Sequence, residues 1–278
     1  MGKECFPLIP AFPLIFDELK GFVGMRRWNF KKRLGASGIH LGISLAIAGL
    51  VAALVFGLWY PYPYREISGG RELFMLVVVV DVVMGPLITL AIFNLNKPRR
   101  ELLFDLTAVG LLQLAALGYG LWTVFAARPV HLVFEYHRMA VVHAADVDAT
   151  SLKQAPLALR VLPLTGPTWL SLRPFKDGNE EFESTMKAVG GVAQAAQPTL
   201  WQPWGLARAD ILKESRSVTE LKERFPAQAA LIDSAVAATG RQANALRYVP
   251  LVARDTSWTV LVEWETAEPL GFLPLDSF

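Results

Sequence analysis

Three long apolar blocks fill most of the first half of the chain, over residues 37–60, 73–95 and 103–125. Each exceeds the roughly 18 apolar residues that mark a membrane-spanning helix. At 1.5 Å per residue they cover about 33–36 Å, enough for a hydrocarbon core of about 30 Å with some tilt. From Pro129 the pattern changes to short alternating segments broken by turns. Residues 130–135 and 138–144 predict a hairpin closing at Tyr136-His137. A short helix starts at Asp148 and Pro156 ends it; 169–174 reads as a strand. Helices are expected over 179–189, 207–213, 218–225 and 227–239. An antiparallel pair over 247–252 and 258–264 turns at Asp255-Thr256, with a third piece near 270–273. The pattern therefore predicts an integral membrane protein: a cytoplasmic segment 1–36, three transmembrane helices over 37–126, and a soluble α+β domain of four to six strands over 127–278.

Lys and Arg set the orientation. Arg26, Arg27, Lys31, Lys32 and Arg33 precede the first span, and Lys97, Arg99 and Arg100 fill the second connection. In the first connection Arg65 and Arg71 are balanced by Glu66 and Glu72. The N-terminus is thus expected in the cytoplasm and the C-terminal domain outside, with Trp59, Tyr60, Tyr62, Tyr64 and Trp122 as an aromatic belt at the outer interface. The opening FPLIPAFPLIF is broken by Pro7, Pro10 and Pro13, whereas Met25 is followed by RRWNFKKRLGASG. Translation from Met25 is expected, with 1–24 not native or a disordered tail.

Composition sharpens this picture. Hydrophobic residues make up 53% of the chain, too many for an average soluble protein. Up to Ala127 there are 12 Lys/Arg and 8 Asp/Glu; beyond it, 15 and 17. No dense basic stripe with interleaved aromatics occurs, which argues against nucleic acid as a partner. Cys5 is the only cysteine, excluding an intramolecular disulfide and any cysteine metal site. His40, His131, His137 and His143 do not form an H-x-x-x-H or H-E-x-x-H pattern. No nucleophile elbow, phosphate-binding loop or dinucleotide fingerprint is present, and Glu263 with Glu265 reads as the wet face of a strand. Neither an enzyme nor a cofactor is implied.

The candidate chemistry lies in the spans. Asp81 interrupts the second, where an unpaired carboxylate costs upward of about 2.5 kcal/mol. Gly85-Pro86 follows it, and Pro86 is expected to free the carbonyl of Val82 and kink the helix. Counted from the outer ends, Asp81 is about 12 Å deep, Tyr119 about 9 Å and Gln113 about 18 Å. These depths nominate Tyr119 or Gln113 as a hydrogen-bond partner for Asp81. A helix of another protein, or a proton path, is the other use for the carboxyl. Gly38-Ile-His-Leu-Gly42 is a GxxxG face that admits a second helix closely, and Ala116–Gly120 is a comparable small-residue run. Asp105 reads as a charge at a helix N-terminus.

The blocks ASGIHLGIS, VVVVDVVMGPLITL and FDLTAVGLLQLAALGYGLWTVFAARPVHLVFEYHR, with the closing YVPLVARDTSWTVLVEWETAEPLGFLPLDSF, resemble the TfpX/TfpZ family of type IV pilin accessory proteins. The resemblance runs from Ala36 to Phe278 and is weaker over 153–241. Thr266-Ala267-Glu268-Pro269 stands where Thr-Gly-Glu-Pro is expected. The resemblance implies a bacterial inner-membrane protein with a periplasmic domain that assists a cognate type IV major pilin in assembly, stability or pilus dynamics, without catalysis. Membrane lipid and other inner-membrane components of pilus assembly would be further partners. The competing expectation is a membrane-anchored periplasmic ligand-binding or sensor protein. The short 96–101 connection leaves no room there for a cytoplasmic output domain.

Overall fold

The structure, a computed structural model, describes residues 12–94, 97–254 and 256–278, and side chains from Phe30 onward. Residues 1–11, Leu95, Asn96 and the turn residue Asp255 lie outside the described residues. Among the described residues three helical runs are long and apolar enough to cross a membrane: Phe30–Trp59, Gly70–Ile92 and Arg99–Ala126. The first belongs to α1 (Phe12–Leu54), which passes into one wide turn at Val55–Trp59. Residues 12–24 lie within this helix, with Pro13 in the first turn, where no N–H is needed. A single-turn helix α2 (Tyr64–Ile67) follows. The second run consists of α3 (Gly70–Val78) and α4 (Gly85–Ile92), joined by a wide turn at Val79–Met84; the third is α5 (Arg99–Ala126).

The chain divides into two compact units, and the division does not fall at residue 127. One unit holds the chain up to Gly49 together with Leu76–Tyr119. The other holds Leu50–Met75 with Gly120–Phe278, so the first connection belongs with the sheet.

In the second unit β1 (Pro129–Glu135) and β2 (Arg138–His143) form the expected hairpin. Tyr136 takes φ +58 at the turn, and Glu135, almost fully buried, is paired with Arg138 at 2.9 Å. After the short α6 (Ala149–Leu152), capped by Asp148, β3 (Thr168–Leu172) lies parallel to β1. Next come α7 (Gly178–Val189), β4 (Trp201–Pro203), α8 (Arg208–Glu214), β5 (Arg216–Ser217), α9 (Val218–Arg224) and α10 (Ala229–Ala238). The chain closes with β6 (Leu246–Val252), β7 (Ser257–Glu263) and β8 (Pro269–Leu273). The sheet order is β4-β3-β1-β2-β6-β7-β8, with β5 also on β6, giving eight strands rather than four to six. The two unexpected strands are three and two residues long, too short for alternation to register.

Alternation assigns the two faces of the central strands. Leu132, Phe134, Met139, Val249, Leu251, Val260 and Val262 enter one cluster. On the opposite face Leu246, Tyr248 and Leu261 pack with Leu221 of α9 and Ile232 of α10. The turn before β8 places Ala267 at φ +61 with its methyl fully buried. Glycine takes that left-handed conformation freely, while alanine spends about 1 kcal/mol on it.

The first connection removes Tyr60 and Tyr64 from the expected aromatic belt, while Tyr62 and Trp122 are exposed. Tyr64 and Ile67 belong to the same cluster as Leu132 and Val249, and Tyr64 meets Phe272 edge-on at 5.8 Å between centroids. Tyr60 has no exposed surface, and its hydroxyl donates to the Val124 carbonyl at 3.1 Å. A Cβ on Gly70 would come within 2.4 Å of the Tyr60 ring, so only glycine leaves room there. Tyr62 alone among the three tyrosines is substantially exposed.

The helix ends in this unit are closed by the segment between α6 and β3. Pro61 and Pro63 have no N–H to offer α1, and the Leu58 carbonyl accepts instead from Gly166 N at 2.6 Å. Gly166 holds φ +53, which a glycine adopts without strain. At the end of α5 the Arg128 guanidinium lies 3.8 Å over the Phe125 ring. It donates to the Phe125 carbonyl at 2.8 Å and forks onto the Pro163 carbonyl at 3.2 and 3.3 Å.

His131 on β1 is 2% exposed, with Nδ1 at 2.8 Å from Thr168 Oγ1 and its ring edge-on to Trp201. Burial pushes its pKa down to about 4. Unfolded chains bind a proton at His131 below about pH 6.5 while the folded protein refuses it until about pH 4, so stability falls with falling pH across that window. Between pH 7 and pH 5 the loss due to His131 is expected to be about 2 kcal/mol. Denaturant unfolding at the two pH values checks this: His131→Gln should flatten the difference, and an unchanged difference would assign it elsewhere.

Candidate functional site

The first unit contains a polar seam built from residues three apart on facing helices, a spacing that puts both members of a pair on one helical face. On α1 these are Ser37 and His40; on α4 they are Pro86 and Thr89. Ser37 Oγ donates to the Pro86 carbonyl at 2.8 Å, and His40 Nδ1 lies 2.6 Å from Thr89 Oγ1. Both Ser44 and Thr89 are buried. Polar groups in an apolar bundle stay only where they bond each other, and such interhelical bonds fix the register of the two helices.

Asp81 lies in the wide turn at Val79–Met84, one helical turn before Pro86. In a turn closed by i→i+5 bonds, the carbonyl facing the missing Pro86 N–H is that of Asp81, not Val82. Gln113 on α5 supplies the substitute donor: its Nε2 donates to the Asp81 main-chain carbonyl at 3.3 Å. The structure thus brings Gln113 to Asp81 through the main chain rather than through the carboxyl. The Asp81 side chain is 9% exposed, and its Oδ1 is buried with no hydrogen-bond partner. Tyr119 is 71% exposed.

Gly85 makes the Gln113 contact possible, because a Cβ there would lie 1.9 Å from Gln113 Nε2. Asp81, Gly85, Pro86 and Gln113 therefore form one arrangement: the proline removes a donor, the wide turn turns the carbonyl out, and the glycine admits the amide that satisfies it. Gly38 and Gly42 do something else. A Cβ at either position would meet no atom within 4 Å, so among the described residues nothing packs closely on the two glycines. Asp105 pairs with Lys97 at 2.7 Å, beside a cavity of about 480 Å³ lined also by Arg33, Asn94 and Val109.

Ser37, His40 and Thr89 carry the seam and were not nominated by sequence. The available signal was their depth: Ser37 and His40 open the first span where Thr89 nears the end of the antiparallel second.

Comparison with known proteins follows the same segments. The family model described as Fimbrial assembly protein FimB matches residues 27–69, from the basic flank through α1 and the buried connection. The fimbrial assembly protein of serogroup I from Dichelobacter nodosus is 33% identical over 241 residues, 86% of this chain and 94% of that protein. The serogroup E1 protein of the same organism is 31% identical over the same shares. That of serogroups C1 and C2 is 37% identical over 131 residues, which is its whole length and 47% of this chain. No solved structure matches. With a relative of this identity aligned over nearly its full length, the chain belongs to the FimB family of fimbrial assembly proteins.

Proposed function

We propose that this protein is an accessory protein of type IV pilus biogenesis, of the TfpX/TfpZ kind, which binds the membrane-held major pilin and performs no catalysis. The observation that carries the reading is the 33% identity to a fimbrial assembly protein across 94% of its length. The three apolar helices support a place in the inner membrane, and the Lys/Arg bias of the N-terminus and second connection supports a cytoplasmic N-terminus with a periplasmic sheet domain. Packing of the first connection into the sheet domain agrees with three crossings, because an odd number leaves that connection and the C-terminal domain on one side.

A pilin subunit waiting in the membrane presents an apolar helix and an outer head. The open Gly38–Gly42 face suits close approach of such a helix, and the seam behind it keeps α1 and α4 in register. Asp81 serves this shape rather than proton transfer. Gly38→Leu with Gly42→Leu should abolish co-purification of the major pilin while leaving the protein inserted; undiminished capture would refute the helix contact. Asp81→Asn should preserve surface piliation, and Gln113→Leu, which removes the donor to the Asp81 main-chain carbonyl, should lose it.

A further inference from the structure

We propose that residues 157–164 lie on the bilayer as an interfacial segment, anchoring the sheet domain to the lipid surface at the ends of its own helices. The inference rests on the membrane reading above and adds a second, non-spanning contact with lipid.

Placement is the first argument. Pro163 is bound by Arg128 at the end of α5, and Gly166 by the Leu58 carbonyl at the end of α1. The segment is thus fixed at the level where two membrane-type helices finish. Leu164, between these two anchors, is 63% exposed, and Leu157 and Val161 are each 81% exposed. Leu159 and Leu162 of the same segment pack against the β1–β3 core. Their inward packing holds the other three apolar side chains outward.

Charge is the second argument. From Ala149 to Lys176 the sequence contains Lys153, Arg160, Arg173 and Lys176 and no Asp or Glu. Lys153 and Arg160, nearest the exposed apolar residues, are themselves exposed. Arg173 and Lys176 pair with Glu180, so Lys153 and Arg160 are the cations beside the apolar edge, and that pairing of apolar and basic side chains matches the boundary between acyl chains and anionic headgroups. Three large apolar side chains left in water beside a membrane would instead invite aggregation.

The test uses the full chain with Cys5→Ser, which leaves no other cysteine, and single Leu164→Cys or Val161→Cys substitutions carrying an environment-sensitive fluorophore. The labelled protein is reconstituted in vesicles of phosphatidylethanolamine and phosphatidylglycerol containing nitroxide-bearing lipids. Leu112→Cys in α5 reports insertion, and Leu231→Cys on α10 reports the water-facing domain. Labels at 161 and 164 should show blue-shifted emission and be quenched best by nitroxides near the headgroup; Leu112→Cys should respond to deep nitroxides and Leu231→Cys to none. If Leu112→Cys is quenched while 161 and 164 behave like Leu231→Cys, the interfacial contact is overturned and the spans stand. If Leu112→Cys is not quenched, the membrane reading falls and the proposal with it. A blue shift at 161 and 164 only when pilin is co-reconstituted would assign the patch to a protein partner and overturn the lipid contact.

Discussion

Tyr64→Ala is expected to destabilise the protein by about 4 kcal/mol, the cost of deleting a buried aromatic ring from a close-packed core. Its ring sits among Leu132, Val249 and Val260 and meets Phe272 edge-on, with 5% of its surface exposed. The phenol is also held well above its ordinary ionisation range by burial. At a membrane interface the same substitution would cost little, since an interfacial tyrosine is exchanged between lipid and water. Denaturant unfolding of the full chain in detergent, followed by a probe in the sheet domain, decides between the two placements. A loss below about 1 kcal/mol would return Tyr64 to the aromatic belt. Tyr62→Ala, at a side chain 56% exposed, provides the contrast and should be nearly silent.

Removing Arg128 should cost nearly as much, about 3 kcal/mol, through a different mechanism. The residue is 5% exposed, and its guanidinium bonds the carbonyls of Phe125 and Pro163, one of them at the C-terminal end of α5 where a cation also suits the helix dipole. Arg128→Met keeps the stem and its apolar volume but takes the side-chain donor from both carbonyls, leaving Phe125 only the 3.3 Å bond from the residue-128 main-chain N–H. Arg128→Lys should recover only part of the loss, because one ammonium does not reproduce a planar fork. Limited proteolysis gives a local readout: the 156–166 segment should become cleavable in Arg128→Met while the hairpin remains protected. Equal protection in both variants would show that Pro163 is held by other contacts.

The parts read correctly from sequence are those with a strong period. The three apolar runs, the 136–137 hairpin and the β6–β7 pair all carry patterns that survive without tertiary context. The connection between the first two helices has no such pattern. Tyr, Pro and Ile have the same composition whether they float at an interface or plug a sheet, and only the distant β1, β6 and β7 decide which. Around Asp81 the depth count nominated Tyr119 and Gln113 for the carboxyl, and the structure joins Gln113 to the main chain instead. Depth matching reached Gln113, but the wide turn at Val79–Met84 shifts the orphaned carbonyl from Val82 to Asp81, and hydropathy does not encode helix width. Likewise Gly85 reads as a companion of Pro86, whereas its role is to make room for the Gln113 amide.

Burial of Tyr60, Tyr64 and Ile67 in the sheet unit constrains the order of biogenesis. These residues leave the ribosome between the first two spans, long before the strands that enclose them. A fragment begun at β1 would therefore fold around a hole. On the proposed three-span topology the sheet domain matures only after the third helix has carried the rest of the chain to the same side, which makes insertion and domain folding one reaction.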